Sequence, residues 1–281
     1  MREIPVLGIG LGHREPMHQF IVDHADEIDW LEIYTDRFVL LAQPGNARRL
    51  SGLRQRFPLV PHGMELSIGS EGPLDATYVE RVAALVRHLD APWFSDHLCF
   101  TRDGGVQLGH MAPVHRTHEA ALEIARRAQH VQQLAGRPFI LENITYYIDV
   151  PAELSEAEFL GLVFANCDAG ILLDLPDLLI NATNHGFDPM GFLDAIPLDR
   201  VVQVHLAGTG EDDGSGFLRD TQAGRVDEQV WEMLRHVARR APLRGVMIER
   251  DAQFPATGVE FEHEILADLR IARTVMAGPT R

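Results

Sequence analysis

Lysine is missing from this chain: all 25 of its fixed cations are arginines, set against 41 aspartates and glutamates, for a formal net charge of -16. No Schiff-base lysine and no Walker-type phosphate loop can therefore be built. The negative excess also disfavours nucleic acid as a partner, because that affinity comes from cations neutralising phosphates. Cysteine is nearly absent too. Cys99 and Cys167 are too few for a disulfide framework and form no C-x-x-C metal pair, so a reducing cytoplasm is the expected setting. No apolar run is long enough to span a membrane, and the one in MREIPVLGIG is too short for a signal sequence and reads as a strand. There is no G-x-S-x-G elbow to mark a serine nucleophile, and GIGLGHRE (8–15) does not match G-x-G-x-x-G.

What the chain does have is alternation. Eight short β-favouring runs, PVLGIGL (5–11), DWLEIYT (29–35), PLVPHG (58–63), PWFSDHL (92–98), PFILEN (138–143), GILLDL (170–175), RVVQVHLAG (200–208) and GVMIERD (245–251), are separated by longer stretches. Three of those stretches read as helices, at 76–90, 117–136 and 227–240, and helix starts are expected at Asp75, Thr117 and Ser155. Eight strands with crossover helices over 281 residues predict a TIM-type (β/α)8 barrel, a single domain over 1–281. The competitor, an open doubly wound sheet, lacks its Gly-rich phosphate turn here. The acidic, Gly-rich stretch GTGEDDGSG (208–216) is expected to be a loop able to act as a lid, with Asp212 and Asp213 solvated.

The strands end on ionisable residues. Glu32, His62, His97, Glu142 with Asn143, Asp174, His205 and Glu249 each close an apolar run, and His185 follows Asp174 one loop later. A barrel brings all strand ends to one mouth, so these side chains converge where a charge is costly unless it is paired or bound to metal. Imidazole with carboxylate suits iron, manganese or zinc, while the lack of cysteine donors argues against a structural zinc. Carboxylates can also bridge two metals. A lone strand-end histidine is more often a hydrogen-bonded structural residue than a ligand, so the case is collective. Glu32 reads as half exposed, with a supporting or structural role at least as well founded as ligation. His110, His115 and His118 surround a helix start and read as solvated or capping groups. His88, His130 and His236 read as helix-surface residues, and Cys99 as a small buried thiol.

The motifs PHGMELSIGS (61–70), SDHL (95–98), LENITYY (141–147), LLDLPDLLINATNHGFD (172–188), QVHLAG (203–208), RDTQ (219–222) and IERD (248–251) occur in that order. Their order and their NHGFD and HLAG elements resemble the multinuclear non-haem iron-dependent oxidases, the MbnB-like peptide-modifying enzymes, across nearly the whole chain. The resemblance implies a TIM barrel holding two or three irons, with dioxygen as co-substrate. It also implies oxidative modification of residues, commonly cysteine, in a ribosomally made precursor peptide, often with a leader-binding partner protein. Carried over position by position, it implies the metal ligands His62, His97, Glu142, Asp174, His185, His205, Asp220 and Glu249. Glu142, Asp174 and His185 form the implied catalytic group, with Glu142 and Asp174 as bridging carboxylates. Arg14, Arg37 or Arg116 could orient the peptide.

Several positions depart from that pattern. The family's Asp-Thr-His becomes Asp220-Thr221-Gln222, its Asn-Asn becomes Pro176-Asp177, its Gly after the HG pair becomes Met64-Glu65, and its Glu before His97 becomes Asp96. An amide is a much poorer ligand than imidazole for divalent iron, which makes two metals the default. Asp177 or Glu65 could add an oxygen donor. Two other readings keep the barrel: a metal-dependent sugar isomerase or hydrolase, and a degenerate, non-catalytic homologue.

Overall fold

A parallel strand buried on both faces reads as a nearly continuous apolar run, and eight such runs close into a barrel. The computed structural model describes residues 3–39, 45–210, 214, 216–252 and 259–278. Its strands are β1 (Gly8–Gly12), β2 (Trp30–Tyr34), β3 (Leu59–Gly63), β4 (Phe94–His97), β5 (Cys99–Asp103), β6 (Val106–Pro113), β7 (Phe139–Glu142), β8 (Gly170–Asp174), β9 (Val201–Leu206) and β10 (Gly245–Ile248). Eight of them pair in parallel and close in the order β1-β2-β3-β4-β7-β8-β9-β10, the TIM-type barrel expected from the sequence. Helices Ala76–Leu89, His118–Ala135 and Glu228–Ala238 fall where their periodicity predicts. Their starts are capped as expected at two positions: Asp75 accepts from Thr77 N and Tyr78 N, and Thr117 from Ala120 N. Ser155 opens helix Glu156–Ala165 with a complete capping box to Glu158.

Three local readings are corrected. The segment after β4 is an antiparallel hairpin, β5 with β6, so His110 lies in a strand and not at a helix start. Its turn is Gly104-Gly105 with φ of +53° and +84°, a conformation that glycine adopts freely. His185 does not sit on a loop: helix Leu175–His185 begins directly after Asp174, which caps it by accepting from Asp177 N at 2.6 Å. His236 is buried, with Nε2 2.8 Å from Asp194 Oδ1, whereas His88 and His130 are exposed as expected. Asp212 and Asp213 lie outside the described residues.

Inside the barrel, side chains alternate with period two, and the floor is apolar. Trp30, Val60, Trp93, Ile140, Leu172, Val202 and Met247 pack together there, with the two indoles edge to face at 5.9 Å. One inward step above Trp30, Val60, Ile140, Leu172 and Met247 come Glu32, His62, Glu142, Asp174 and Glu249. On β9 the pairing with β8 skips Val202, opposing Ile171 to Val201 and Leu172 to Gln203. This bulge brings Gln203 and His205 to the interior above Val202.

The indoles fit because their neighbours are glycines. A Cβ on Gly10 would stand 2.3 Å from Trp30 Cε2, against a rigid ring. Gly10→Ala is expected to cost about 1–3 kcal/mol by overpacking. Gly161, on helix Glu156–Ala165, has open space around an added Cβ, so Gly161→Ala should gain about 0.5–1 kcal/mol. Denaturant unfolding of both variants checks the contrast, and equal shifts would contradict this packing.

Candidate metal centre

The polar layer converges on Glu142. Its Oε2 stands 3.3 Å from His62 Nε2 and 3.2 Å from His97 Nε2, and its Oε1 is 2.7 Å from His205 Nδ1. His205 Nδ1 in turn faces Glu249 Oε2 at 3.2 Å and Asp174 Oδ2 at 3.9 Å. Three buried donor sets could each hold a metal ion: His62 with His97 and Glu142; Glu142 with Asp174 and His205; and Glu32 with His205 and Glu249. Glu142 belongs to two of them and His205 to two.

Neighbours aim these groups. His97 Nδ1 lies 2.9 Å from the Gly63 carbonyl, which can only accept, so the ring carries its proton there and turns Nε2 to Glu142. His62 Nδ1 meets Ser95 Oγ at 2.8 Å. Asn143 clamps the backbone of Asp174, donating to its carbonyl and accepting from its N–H, both at 2.9 Å. Arg14 donates to Glu249 Oε1 at 2.7 Å and to Asp251 Oδ1 at 2.5 Å while its guanidinium lies over the Tyr34 ring, and the Tyr34 hydroxyl donates to Asp251. Arg14 is thus buried in this wall and is not a free anchor for peptide. Arg37 is about half exposed, and Arg116 pairs with Asp149.

The electrostatics are those of an unneutralised cluster. Burial pushes the carboxyls of Glu142 and Asp174 upward, Asp174 well above the usual range with Asp177 and Glu142 adding to it. Burial followed by His97 and His205 drives His62 well below its ordinary value. For His205 burial works against protonation, but Glu32, Glu142 and Glu249 overcome it and raise the imidazole well above its usual pKa. Despite their short contacts, Glu142 Oε2 and His205 Nδ1 have no aligned hydrogen-bond partner among the described residues. A divalent cation would satisfy these atoms and offset the crowded carboxylates, so the donor set fits a metal.

Of the residues the sequence singled out, His62, His97, Glu142, Asp174, His205 and Glu249 are brought together. Glu32 joins them and is fully buried, which corrects its half-exposed reading; the period-two step from Trp30 was the available signal. His185 and Asp220 fall in none of the three sets. His185 stacks on Tyr146, with Nε2 2.9 Å from that residue's carbonyl. Asp220 lies at the margin: burial, then Glu249, Asp251 and Glu142, push its carboxyl up to about 7. Gln222, with its amide nitrogen turned inward, donates to Asp251 Oδ2 and Glu249 Oε1 at 3.2 Å each. Asp177 accepts from Thr145 N at 2.8 Å, and Glu65 Oε2 from Thr101 Oγ1 at 3.1 Å. Gln203, Asp251 and the Arg14 wall escaped the sequence reading.

The sequence profile of the RiPP precursor modification enzymes MbnB/TglH/ChrH matches residues 8–276. The chain belongs to this family. Members modify ribosomally synthesised peptide precursors, as the family description states. A UPF0276 protein of Anaeromyxobacter sp. strain Fw109-5 is 36% identical over 256 residues, which is 90% of this chain and 89% of that protein. One from Caulobacter vibrioides is 33% identical over 282 residues, 99% of this chain and 97% of the relative. Among solved structures, a putative xylose isomerase from Rhodospirillum rubrum superposes with a TM-score of 0.63 at 10% identity, over 95% of this chain and 99% of that one. Endonuclease IV from Thermus thermophilus does so at 0.58 and 18% identity, over 97% and 99%. At such identities the likeness concerns the barrel alone.

Asp220 supplies a pH test of the cluster's field. Its pKa near 7 in the fold exceeds the ordinary 3.8, so the native state holds the extra proton and this contribution to stability is lost as pH rises between those values. In metal-free protein, Asp220→Asn should therefore raise Tm most at pH 8 and lose that advantage towards pH 4. A difference in Tm that stays constant across this range would contradict the field described.

Proposed function

We propose that this protein uses iron and dioxygen to modify a residue, cysteine by our reading, in a ribosomally synthesised precursor peptide. The observation that carries the proposal is the chain of buried donor sets linked through Glu142 and His205, in a family of precursor-modifying enzymes. Two iron ions are assigned. His62, His97 and Glu142 would hold one; Glu142, Asp174, His205 and Glu249 would hold the other, with Glu142 shared. Bound iron supplies the one-electron and dioxygen chemistry that no side chain here can provide. Gln222 takes no third ion in this assignment, because it turns its amide nitrogen, which has no lone pair to offer a metal, to Asp251 and Glu249. His185 and Asp220 stand at the rim of the site.

The protein's own groups do the remaining work. Arg14 fixes Glu249 by Oε1, which leaves Oε2 facing His205. Without metal, burial and then Glu249, Asp251 and Glu142 push the Asp220 carboxyl up to about 7; cations bound beside it would pull it back towards the carboxylate form. The apolar floor closes the barrel below the polar layer, so the peptide approaches at the C-terminal ends of the strands, the face on which barrels carry their sites. A separate leader-binding protein is part of the proposal where the precursor has a leader.

The test is co-expression with a Cys-containing precursor encoded beside this gene, followed by mass spectrometry. A mass change that requires both iron and air is expected. No change with iron-loaded protein under air would refute the reading, and turnover of a sugar with manganese under argon would replace it with an isomerase. Glu142→Ala should lower bound iron and reduce activity by more than about 100-fold, since it removes a shared ligand. Full activity in that variant would refute the ligand assignment.

A further inference from the structure

On the far side of His205 from the donor cluster lies a second buried chain of contacts. Trp93 Nε1 donates to Gln203 Oε1 at 2.7 Å, Gln203 Nε2 donates to Glu32 Oε2 at 2.7 Å, and the same Glu32 oxygen stands 2.9 Å from His205 Nε2. Trp93, Gln203, Glu32 and His205 are all no more than 1% exposed. Shielded from bulk solvent, these bonds take their polarity from the groups themselves.

That polarity can be read from one end. An indole N–H is a donor and nothing else, so Gln203 must present its oxygen to Trp93 and its NH2 to Glu32. The Glu32 carboxylate then accepts, and the only arrangement of His205 that avoids a lone pair against that charge is the one with a proton on Nε2. Gln203 Nε2 is also 2.9 Å from His205 Nε2, but donating to that nitrogen would leave an imidazole lone pair facing the carboxylate. Nδ1 faces Glu142, Asp174 and Glu249, and on that side a cation would take the place of the proton that those carboxylates otherwise hold there. The amide NH2 held at Glu32 Oε2 also repels a cation from that side, so the pocket between Glu32 and His205 is the proton side of the ring and the opposite face is the metal side.

We propose that Glu32 is a positioning residue: it fixes His205 as the Nε2–H tautomer, oriented through Gln203 by Trp93, and so prepares Nδ1 as a metal ligand. The inference rests on the metal reading above and deepens it. A carboxylate behind a ligating imidazole raises its basicity and locks the ring, and losing such a partner typically weakens metal binding about 10- to 100-fold. Glu32 Oε1 has no hydrogen-bond partner among the described residues, and direct ligation through that oxygen is the rival role.

The full-length protein would be titrated with Fe2+ under argon against a chromophoric chelator, with bound iron counted by elemental analysis and Tm measured without metal. For Glu32→Gln we expect an affinity about 10- to 100-fold weaker, the native stoichiometry at saturating Fe2+, and a metal-free fold that still melts cooperatively. Trp93→Phe, which lies a residue away from any ligand, should weaken Fe2+ binding in the same direction by a smaller factor. A drop in stoichiometry for Glu32→Gln would make Glu32 a ligand and overturn the proposal. Native affinity in either variant would overturn it as well, whatever happens to Tm. If the native chain itself binds no Fe2+, the metal reading fails and this inference falls with it, an outcome distinct from native binding that Glu32→Gln leaves untouched.

Discussion

Glu142 is the group on which the polar layer depends. Its two oxygens face different partners, Oε2 towards His62 and His97 and Oε1 towards His205, and a carboxylate so enclosed raises the energy of the whole layer unless positive charge sits beside it. The barrel offers only partial compensation. Among the described residues Arg14 donates to the cluster, and it is already divided between Glu249 and Asp251. The upward drift of the Glu142, Asp174 and Asp220 carboxyls and of the His205 imidazole expresses one deficit, a shortage of positive charge in a dry space.

Much of this was legible in the sequence because a parallel barrel strand has a simple signature. An apolar run that stops at an ionisable residue gives both the strand and its end, which is how His62, His97, Glu142, Asp174, His205 and Glu249 could be read together. What escaped has physical reasons. Glu32 sits in LEIYTDRF, where hydropathy cannot tell the barrel interior from the helix side. Gln203 is uncharged and hidden within an apolar run. The pairing of Arg14 with Asp251 joins residues 237 apart, a closure that only the ring of strands creates. The hairpin at 99–113 was announced by Asp103-Gly104-Gly105, a turn signal masked by the expectation that each strand leads to a helix.

Family and fold carry different weight here. The barrel is shared with proteins of 10% to 18% identity, and so broad a scaffold does not fix a reaction. The order of the motifs does more, because six of the seven place a donor at a strand end, RDTQ (219–222) alone lying outside any strand. The departures fall both at the margin, as at Gln222, and in the buried interior, as at Asp96 and Asp177. Gln222 and Asp177 make hydrogen bonds to neighbouring residues, while the six central donors stay grouped about Glu142 and His205.

The skipped residue on β9 gives the site a dependence on strand length as well as on composition. Because Val202 is passed over in the pairing with β8, the stretch from the apolar floor to His205 contains an odd step. Removing Val202 would restore regular pairing and leave Gln203 opposite Leu172 and His205 opposite Asp174, whereas removing Val204 would turn His205 towards the surrounding helices, away from Glu32. The histidine could persist in the sequence and still be lost to the site. The site therefore depends on the count of residues between Gln203 and His205 on β9 as much as on the identity of either.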